Sequence, residues 1–182
     1  MKSTLLFVIV CVFTANYSVA EDIKPLVYLS GNNSKVSKQF YERITNADEM
    51  AKVWAQHLGT SKDDYYRPMF EVDFDRCMVV AILRGKQIQV RQVEVNSISV
   101  QKDSLIVRFT EFGYSIGATD KMPETEYKYP YVFVVLPKTD KEIVLVAGQP
   151  IKGRKPTTNW QEIVRLRADG TKRQPVQVKS DN

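Results

Sequence analysis

One stretch of the chain repeats its apolar residues at helical spacing. The residues on that face are Met50, Val53, Trp54 and His57. Asn46 stands where a helix N-cap belongs, with Glu49 three residues later as in a capping box, and Gly59 provides a C-terminal stop. The pattern therefore predicts one amphipathic helix between residues 46 and 59.

From Phe70 onward, the apolar residues follow a period of two, which is typical of strands. The run 77–85 is apolar on both sides, which indicates a strand buried on both faces. The other runs alternate or are continuously apolar. The predicted strands are 77–85, 87–95, 97–101, 104–109, 129–137 and 143–148, followed by a hairpin within 160–178.

Short polar turns join neighbouring strands into predicted antiparallel hairpins. The turns are Lys102-Asp103, the segment 137–142 and Asp169-Gly170. Pro175 is expected to confine the last strand to a sheet edge. One helix and about seven strands without βαβ alternation predict a mainly β (α+β) fold. We expect an antiparallel sandwich or a strongly bent sheet, with the helix packed against it.

The N-terminal stretch has the pattern of a secretory signal peptide. Lys2 precedes an apolar run from Leu5 to Phe13, and small residues at Ser18 and Ala20 suit a cleavage site. The apolar run is shorter than the roughly 20 residues that span a bilayer, so we expect no stable membrane insertion after cleavage. Residues 1–20 are thus predicted to direct export to the periplasm or the extracellular space.

Cleavage there would leave 162 residues, which is the usual size of a single domain. The hydrophobic content of 43% and the charged content of 26% are ordinary for a globular protein. We therefore predict one β-rich domain over residues 21–182. Its core is expected at about 40–147, with a basic C-terminal hairpin at about 148–182.

Positive charge is concentrated near the C-terminus. Residues 21–147 hold 17 basic and 18 acidic side chains, whereas residues 148–182 hold 8 basic and 3 acidic ones. The candidate basic patch consists of Lys152, Arg154, Lys155, Arg165 and Arg167. It could face an acidic protein, an anionic envelope polymer or lipid headgroups, although a solvated surface is the simpler account. Export argues against nucleic acid as a partner.

Few residues suit catalysis or metal binding. Cys77 is the single cysteine after residue 20 and heads an apolar strand, which predicts a buried, inert thiol. His57, the single histidine, is expected to pack on the apolar side of the helix. No known catalytic motif surrounds either residue, and one histidine with one cysteine makes a zinc site very improbable. We predict no catalytic residues, no metal site and no cofactor.

Three alternating acids precede the first long strand. If extended, Glu71, Asp73 and Asp75 would project from one face and could hold a hard cation such as calcium. The segment lacks the glycine and spacing of a calcium loop, so a polar entrance to a buried strand is the stronger interpretation. Elsewhere, Asn32-Asn33-Ser34 matches the acceptor pattern for N-glycosylation.

From the helix onward, over about residues 45–140, the layout resembles the PrcB C-terminal domain family, named for an accessory subunit of a bacterial surface protease complex. The residues that carry the resemblance are Val72-Asp73-Phe74, Arg84-Gly85, Lys102-Asp103, and Tyr129-Pro130-Tyr131 running to Leu136-Pro137-Lys138. The chain departs from the family pattern at 86–89, where a Gly-Gly-Tyr turn is expected. The resemblance implies a binding or assembly role and supplies no catalytic residues.

Tyrosines are dense in the connection that precedes the strand at 129–137. Tyr114, Tyr127, Tyr129 and Tyr131 form the candidate partner-binding surface, because tyrosine combines rigid area with a polar tip. We therefore predict an exported, non-enzymatic domain that binds a protein partner in the envelope or extracellular space. Two alternatives stay open: a hydrolase that uses carboxylates, and an inhibitor of a secreted protease.

Overall fold

The computed structural model describes residues 21–60, 70–87, 90–113, 127–151 and 157–173. The predicted mainly β fold is confirmed, and the described residues form strands in two sheets with one helix. The strands are β1 (Glu21–Asp22), β2 (Val27–Gly31), β3 (Phe40–Ile44), β4 (Cys77–Leu83), β5 (Val90–Gln101), β6 (Ser104–Gly113), β7 (Tyr131–Pro137), β8 (Glu142–Ile151), β9 (Thr157–Leu166) and β10 (Lys172–Arg173). The helix α1 spans Ala47–Leu58.

The strands divide between a six-stranded and a four-stranded sheet. The six-stranded sheet has the order β1-β5-β6-β8-β9-β10, and the four-stranded sheet has the order β2-β7-β4-β3. A cluster of buried side chains that includes Val80, Phe109, Val134 and Leu145 fills the space between the sheets. The two sheets therefore form a sandwich around one core.

The helix forms where the sequence predicts it, and its ends are capped locally. The Asn46 side chain accepts a hydrogen bond from the backbone N–H of Glu49, and Gly59 takes the left-handed conformation at φ 72°. The Glu49 carboxylate accepts from the N–H of Thr45 at 2.8 Å, one residue before the position of an ordinary capping box. The apolar face of α1 packs on the outer face of the four-stranded sheet.

The predicted hairpin between 129–137 and 143–148 is wrong. β7 lies in the four-stranded sheet between β2 and β4, whereas β8 lies in the six-stranded sheet, parallel to β6. β7 is buried along nearly its whole length, which suits a central strand covered on both faces. The connection between β7 and β8 crosses the sandwich, and the buried Arg43 anchors it by donating to the carbonyl oxygens of Thr139 and Lys141.

Two other predicted hairpins are confirmed, with one change in strand length. β5 and β6 pair antiparallel through the turn at Lys102-Asp103, where Lys102 adopts φ 45°. The separately predicted strands 87–95 and 97–101 are joined in the single strand β5, whose register shifts by one residue at Asn96. β9 and β10 pair across Asp169-Gly170, and β10 is an edge strand. Pro175 lies outside the described residues.

The layers therefore run from α1, through the four-stranded sheet, to the six-stranded sheet. None of the described helices and strands packs on the outer face of the six-stranded sheet. Within the described ranges, no helix is both long and apolar enough to cross a bilayer.

Candidate functional site

The outer face of the six-stranded sheet carries its side chains in rows, because paired strands hold partner residues side by side. Ser99, Ile106, Val144 and Arg165 form the first row; Ser97, Arg108, Val146 and Glu162 form the second; and Glu94, Thr110, Gly148 and Trp160 form the third. On this face β8 thus presents valines and a glycine, whereas the neighbouring strands β6 and β9 carry the charged residues Arg108, Glu162 and Arg165.

A bulge in β9 creates one charged side of this face. The register between β8 and β9 shifts at Ile163, so Val146 is opposite Glu162 while Leu145 is opposite Val164. In a regular strand, residues three apart point to opposite faces. The bulge instead brings Glu162 and Arg165 to the same face, where they hydrogen-bond.

A groove of about 590 Å³ lies over the first two rows. Ile106, Val144 and Val146 form its floor, and Val144 is buried although it belongs to neither core cluster. Polar side chains line the rest, among them Lys102 and Asp103 from the β5–β6 turn. An apolar floor with polar groups around it is the usual composition of a binding site.

Arg165 on the edge of the groove is held by two carboxylates. Its guanidinium donates to Glu162 at 2.7 Å through both Nε and Nη2, and to Glu142 at 2.8 Å through Nη1. These hydrogen bonds raise the pKa of Arg165 above its ordinary value. Arg167 lies 3.5 Å from the second oxygen of Glu142. Two carboxylates thus offset the charges of these two members of the predicted basic patch.

The remaining members of that patch, Lys152, Arg154 and Lys155, lie outside the described residues.

Arg108, which was not among the predicted site residues, is more available to a ligand than Arg165. The Arg108 guanidinium contacts the Ser99 hydroxyl at 3.5 Å, and among the described residues no carboxylate forms an ion pair with it. Its alternation with the core residues Val107 and Phe109 indicates its position on the outer face.

Two large aromatic side chains are exposed on the same face. Phe112 follows Arg108 and Thr110 on the outward side of β6 and is 48% exposed. Trp160 is 38% exposed. Its neighbour on β8 is Gly148, which has no side chain to cover the Trp160 ring. Sequence reasoning missed both, because an aromatic residue in an alternating strand is as easily placed in a core.

The four tyrosines of the predicted partner surface differ in their exposure. Tyr127 is exposed, with Lys86 Nζ 3.6 Å from its ring centroid, and Tyr114 lies outside the described residues. Tyr129 is half-buried, and its backbone bridges to Asn33. Tyr131 is 8% exposed and packs its ring 4.2 Å from that of His57, so its assignment to a partner surface is wrong. It begins the apolar run of β7, and that run was the available signal of burial.

His57 is buried between α1 and the four-stranded sheet, as the helical pattern predicts. Its ring stacks near Trp54 and Phe133, and within the described ranges its buried Nδ1 has no hydrogen-bond partner. Burial lowers its pKa from 6.5 to about 4. The ring is therefore an uncharged packing group at neutral pH.

Cys77 is only partly buried, in contrast to the full burial that its sequence context predicts. It stands at the first position of β4, at the edge of the cluster under the helix. Residues at the end of a strand have fewer neighbours than those in its middle, so Cys77 is less buried than the residues that follow it in β4.

The alternating acids before β4 do not form an extended row. The carbonyl oxygen of Asp73 accepts from the N–H groups of Arg76 and Cys77, and its carboxylate accepts from the N–H of Asp75 at 3.1 Å. These hydrogen bonds form a turn, so the extended arrangement that a cation site would have required is absent from this segment. Among the described residues, no group of three metal-ligating side chains could hold a metal ion.

A second polar group lies inside the sandwich rather than on the groove. Arg84, just after β4, forms an ion pair with Glu111 of β6, and their side chains are 12% and 22% exposed. Arg84 also donates to the hydroxyl of Tyr41, whose pKa is raised by burial. Because Arg84 follows a strand of one sheet and Glu111 belongs to the other, the pair joins the two sheets.

The Asn32 side chain is exposed, whereas Ser34 of the same acceptor pattern is buried. The Ser34 hydroxyl accepts a hydrogen bond from the N–H of Val36 at 3.2 Å. In the folded chain, the hydroxyl of this pattern is therefore engaged in local structure.

The chain matches no family model, no curated protein and no solved structure.

Proposed function

We propose that this chain is an exported, non-enzymatic protein-binding domain that assists or stabilises an extracytoplasmic assembly. We place its binding surface on the outer face of the six-stranded sheet. The observation that supports this choice is the exposure of Phe112 and Trp160 beside a groove with an apolar floor. Exposed aromatic area next to a polar rim is the composition of protein contact surfaces. The resemblance to the PrcB C-terminal domain family favours the same role.

The two outer faces of the sandwich differ in how much of their surface is open to a partner. The outer face of the four-stranded sheet is already covered by α1, so its aromatic residues are used for packing. Glu162 of the groove and the nearby Glu142 are hydrogen-bonded to Arg165, which gives these carboxylates a structural partner. A hydrolase that uses these acids is the competing function, and the variant Glu162→Gln tests it below.

Photocrosslinking in the native host tests the proposal. A photoreactive phenylalanine analogue is placed at Phe112, at Trp160 and, as a control, at Leu26, which is exposed at the edge of the other sheet. We expect one protein to crosslink from 112 and 160 and not from 26. Equal crosslinking from all three positions, or none from 112 and 160, would contradict the proposal.

The identified partner then allows a measurement of affinity. Phe112→Ala and Trp160→Ala should each weaken binding roughly thirtyfold, since truncating an interface hot spot costs about 2 kcal/mol. Tyr127→Ala serves as the test of the tyrosine surface and should change affinity little. Loss of a hydrolytic activity in Glu162→Gln, with partner binding unchanged, would instead favour the enzyme.

A further inference from the structure

The groove has the dimensions of an extended peptide. Ile106 and Arg108 are two residues apart on β6, as are their neighbours Val144 and Val146 on β8. Alternate residues of a strand are about 6.6–6.8 Å apart. An extended peptide that lies along these strands therefore presents its inward side chains, at positions i and i+2, at the same spacing as the two rows.

The two rows differ in chemistry. The first row offers an apolar surface made by Ile106 and Val144, whereas the second offers the Arg108 guanidinium beside Val146. A guanidinium carries five N–H donors in a planar fork that matches a carboxylate. In Arg108, one of these donors contacts a neutral hydroxyl at 3.5 Å. Counting partners among the described residues, the second row thus presents a cation with most of its hydrogen-bonding capacity unused.

The two arginines of the groove differ in the same respect. Arg165 donates three hydrogen bonds to Glu142 and Glu162, so an incoming anion would have to displace carboxylates that are already well placed. Glu162 also lies in the row of Arg108, across Val146, and would repel an anion placed on that side. Of the two arginines, Arg108 is therefore the one that can pair with an anionic group, on the β6 side of the groove.

We propose that the groove binds an extended segment of a partner protein in which an apolar residue and an acidic residue are separated by one residue. The apolar side chain packs on Ile106 and Val144, and the carboxylate pairs with Arg108. This inference rests on the proposed protein-binding function and names the class of segment that the face accepts. Beyond the aromatic contacts at Phe112 and Trp160, the bound segment must therefore carry a negative charge opposite Arg108.

Selection from a displayed library of random heptapeptides tests the charge requirement. The bait is the mature chain, residues 21–182. Wild type should enrich peptides in which an apolar residue and an Asp or Glu are separated by one residue, in either order. Arg108→Glu should enrich peptides with Lys or Arg in place of the acid, because the reversed charge selects the reversed ligand. Lys52→Glu makes the same change on the exposed side of α1 and should leave the wild-type preference intact.

Affinity measurements with one selected peptide complete the test. Its dissociation constant should rise at least tenfold with Arg108→Glu, and replacing its acidic residue by Lys should restore binding to that variant. Thermal unfolding of each variant verifies that the fold is unchanged. Selection of peptides without acid preference by wild type, or the same preference in Arg108→Glu, would overturn the inference.

The two proposals fail in different ways. If crosslinking from 112 and 160 identifies a partner, but Arg108→Glu binds that partner as wild type does, the binding face stands and the acidic segment is wrong. If no partner crosslinks and no peptide is enriched, the proposed function itself is wrong.

Discussion

The two sheets of the sandwich have outer faces of opposite character. The four-stranded sheet is covered by α1, and Phe133 of β7 lies under the helix against Trp54 and His57. On the six-stranded sheet, Phe112 of β6 stands on a face that no described helix or strand covers. The same residue type thus belongs to a core on one sheet and to a surface on the other.

The sequences of the strands reflect this difference. β4 and β7 are apolar at nearly every position, which suits strands that are covered on both faces. β6 places Arg108 and Thr110 between its buried residues, which suits a strand covered on one face. The polar positions that sequence alternation assigns to solvent are the positions at which this fold offers a binding face.

The largest expected effect comes from the same truncation on the two faces. Phe133→Ala should lower the free energy of unfolding by about 4 kcal/mol, because it removes a fully buried ring and leaves a cavity. Phe112→Ala should lower it by less than about 1 kcal/mol, because that ring is already half in solvent. Urea unfolding followed by tryptophan fluorescence and circular dichroism measures both. Equal losses would show that the outer face of the six-stranded sheet is covered.

The acid sensitivity of the covered face should come from His57. Its folded pKa of about 4 is below its unfolded value of 6.5, so the unfolded chain binds the proton more readily between these two pH values. The stability from neutral His57 is present above pH 6.5 and lost as the pH falls toward 4, by about 3 kcal/mol.

His57→Phe separates this loss from the titration of carboxylates. We expect the stability difference between pH 7 and pH 4.5 to be smaller in His57→Phe than in wild type. Unfolding curves at the two pH values measure it. The same pH dependence in both proteins would mean that His57 does not stay neutral in the folded chain.

Removing a carboxylate should cost more stability on the inner face of the six-stranded sheet than on its outer face, and both losses should be smaller than that in Phe133→Ala. Glu111→Ala should cost about 2 kcal/mol, because it leaves the largely buried Arg84 without its carboxylate. Glu162→Ala removes a partner of the more exposed Arg165, which keeps Glu142, and should cost less than about 1 kcal/mol. Thermal unfolding of the two variants ranks them, and the reverse order would contradict the assignment of the inner pair.

Local signals predicted the helix and two hairpins correctly, because each depends on residues that are close in sequence. Asn46 and Gly59 cap α1 through contacts within four residues, and the turn at Asp169-Gly170 is closed by hydrogen bonds within residues 167–171. The β7–β8 connection looks like a similar turn in sequence. Its strands go to different sheets because burial on both faces draws β7 between β2 and β4, and burial of this kind is decided by residues far away in sequence.

The candidate site was less predictable for a related reason. Glu162 and Arg165 are three residues apart in a strand, a spacing that assigns them to opposite faces, and the bulge that unites them has no glycine or proline to mark it. Tyr131 was assigned to a surface because of its tyrosine neighbours, although its position at the start of β7 buries it. The groove itself depends on rows that form only when β6 and β8 are paired.

The parallel pairing of β6 with β8 has a consequence for how the chain folds. Between these strands the chain leaves the six-stranded sheet, contributes β7 to the other sheet and then returns. Both sheets contribute side chains to the one core between them, so neither sheet alone buries its inner face. Val27 must also pair with Val135, which is 135 − 27 = 108 residues away in sequence. Such long-range pairing slows folding, since the entropy of closing large loops is lost before the contacts form. We therefore expect both sheets to appear in one slow, cooperative step, with no stable half-sandwich along the way.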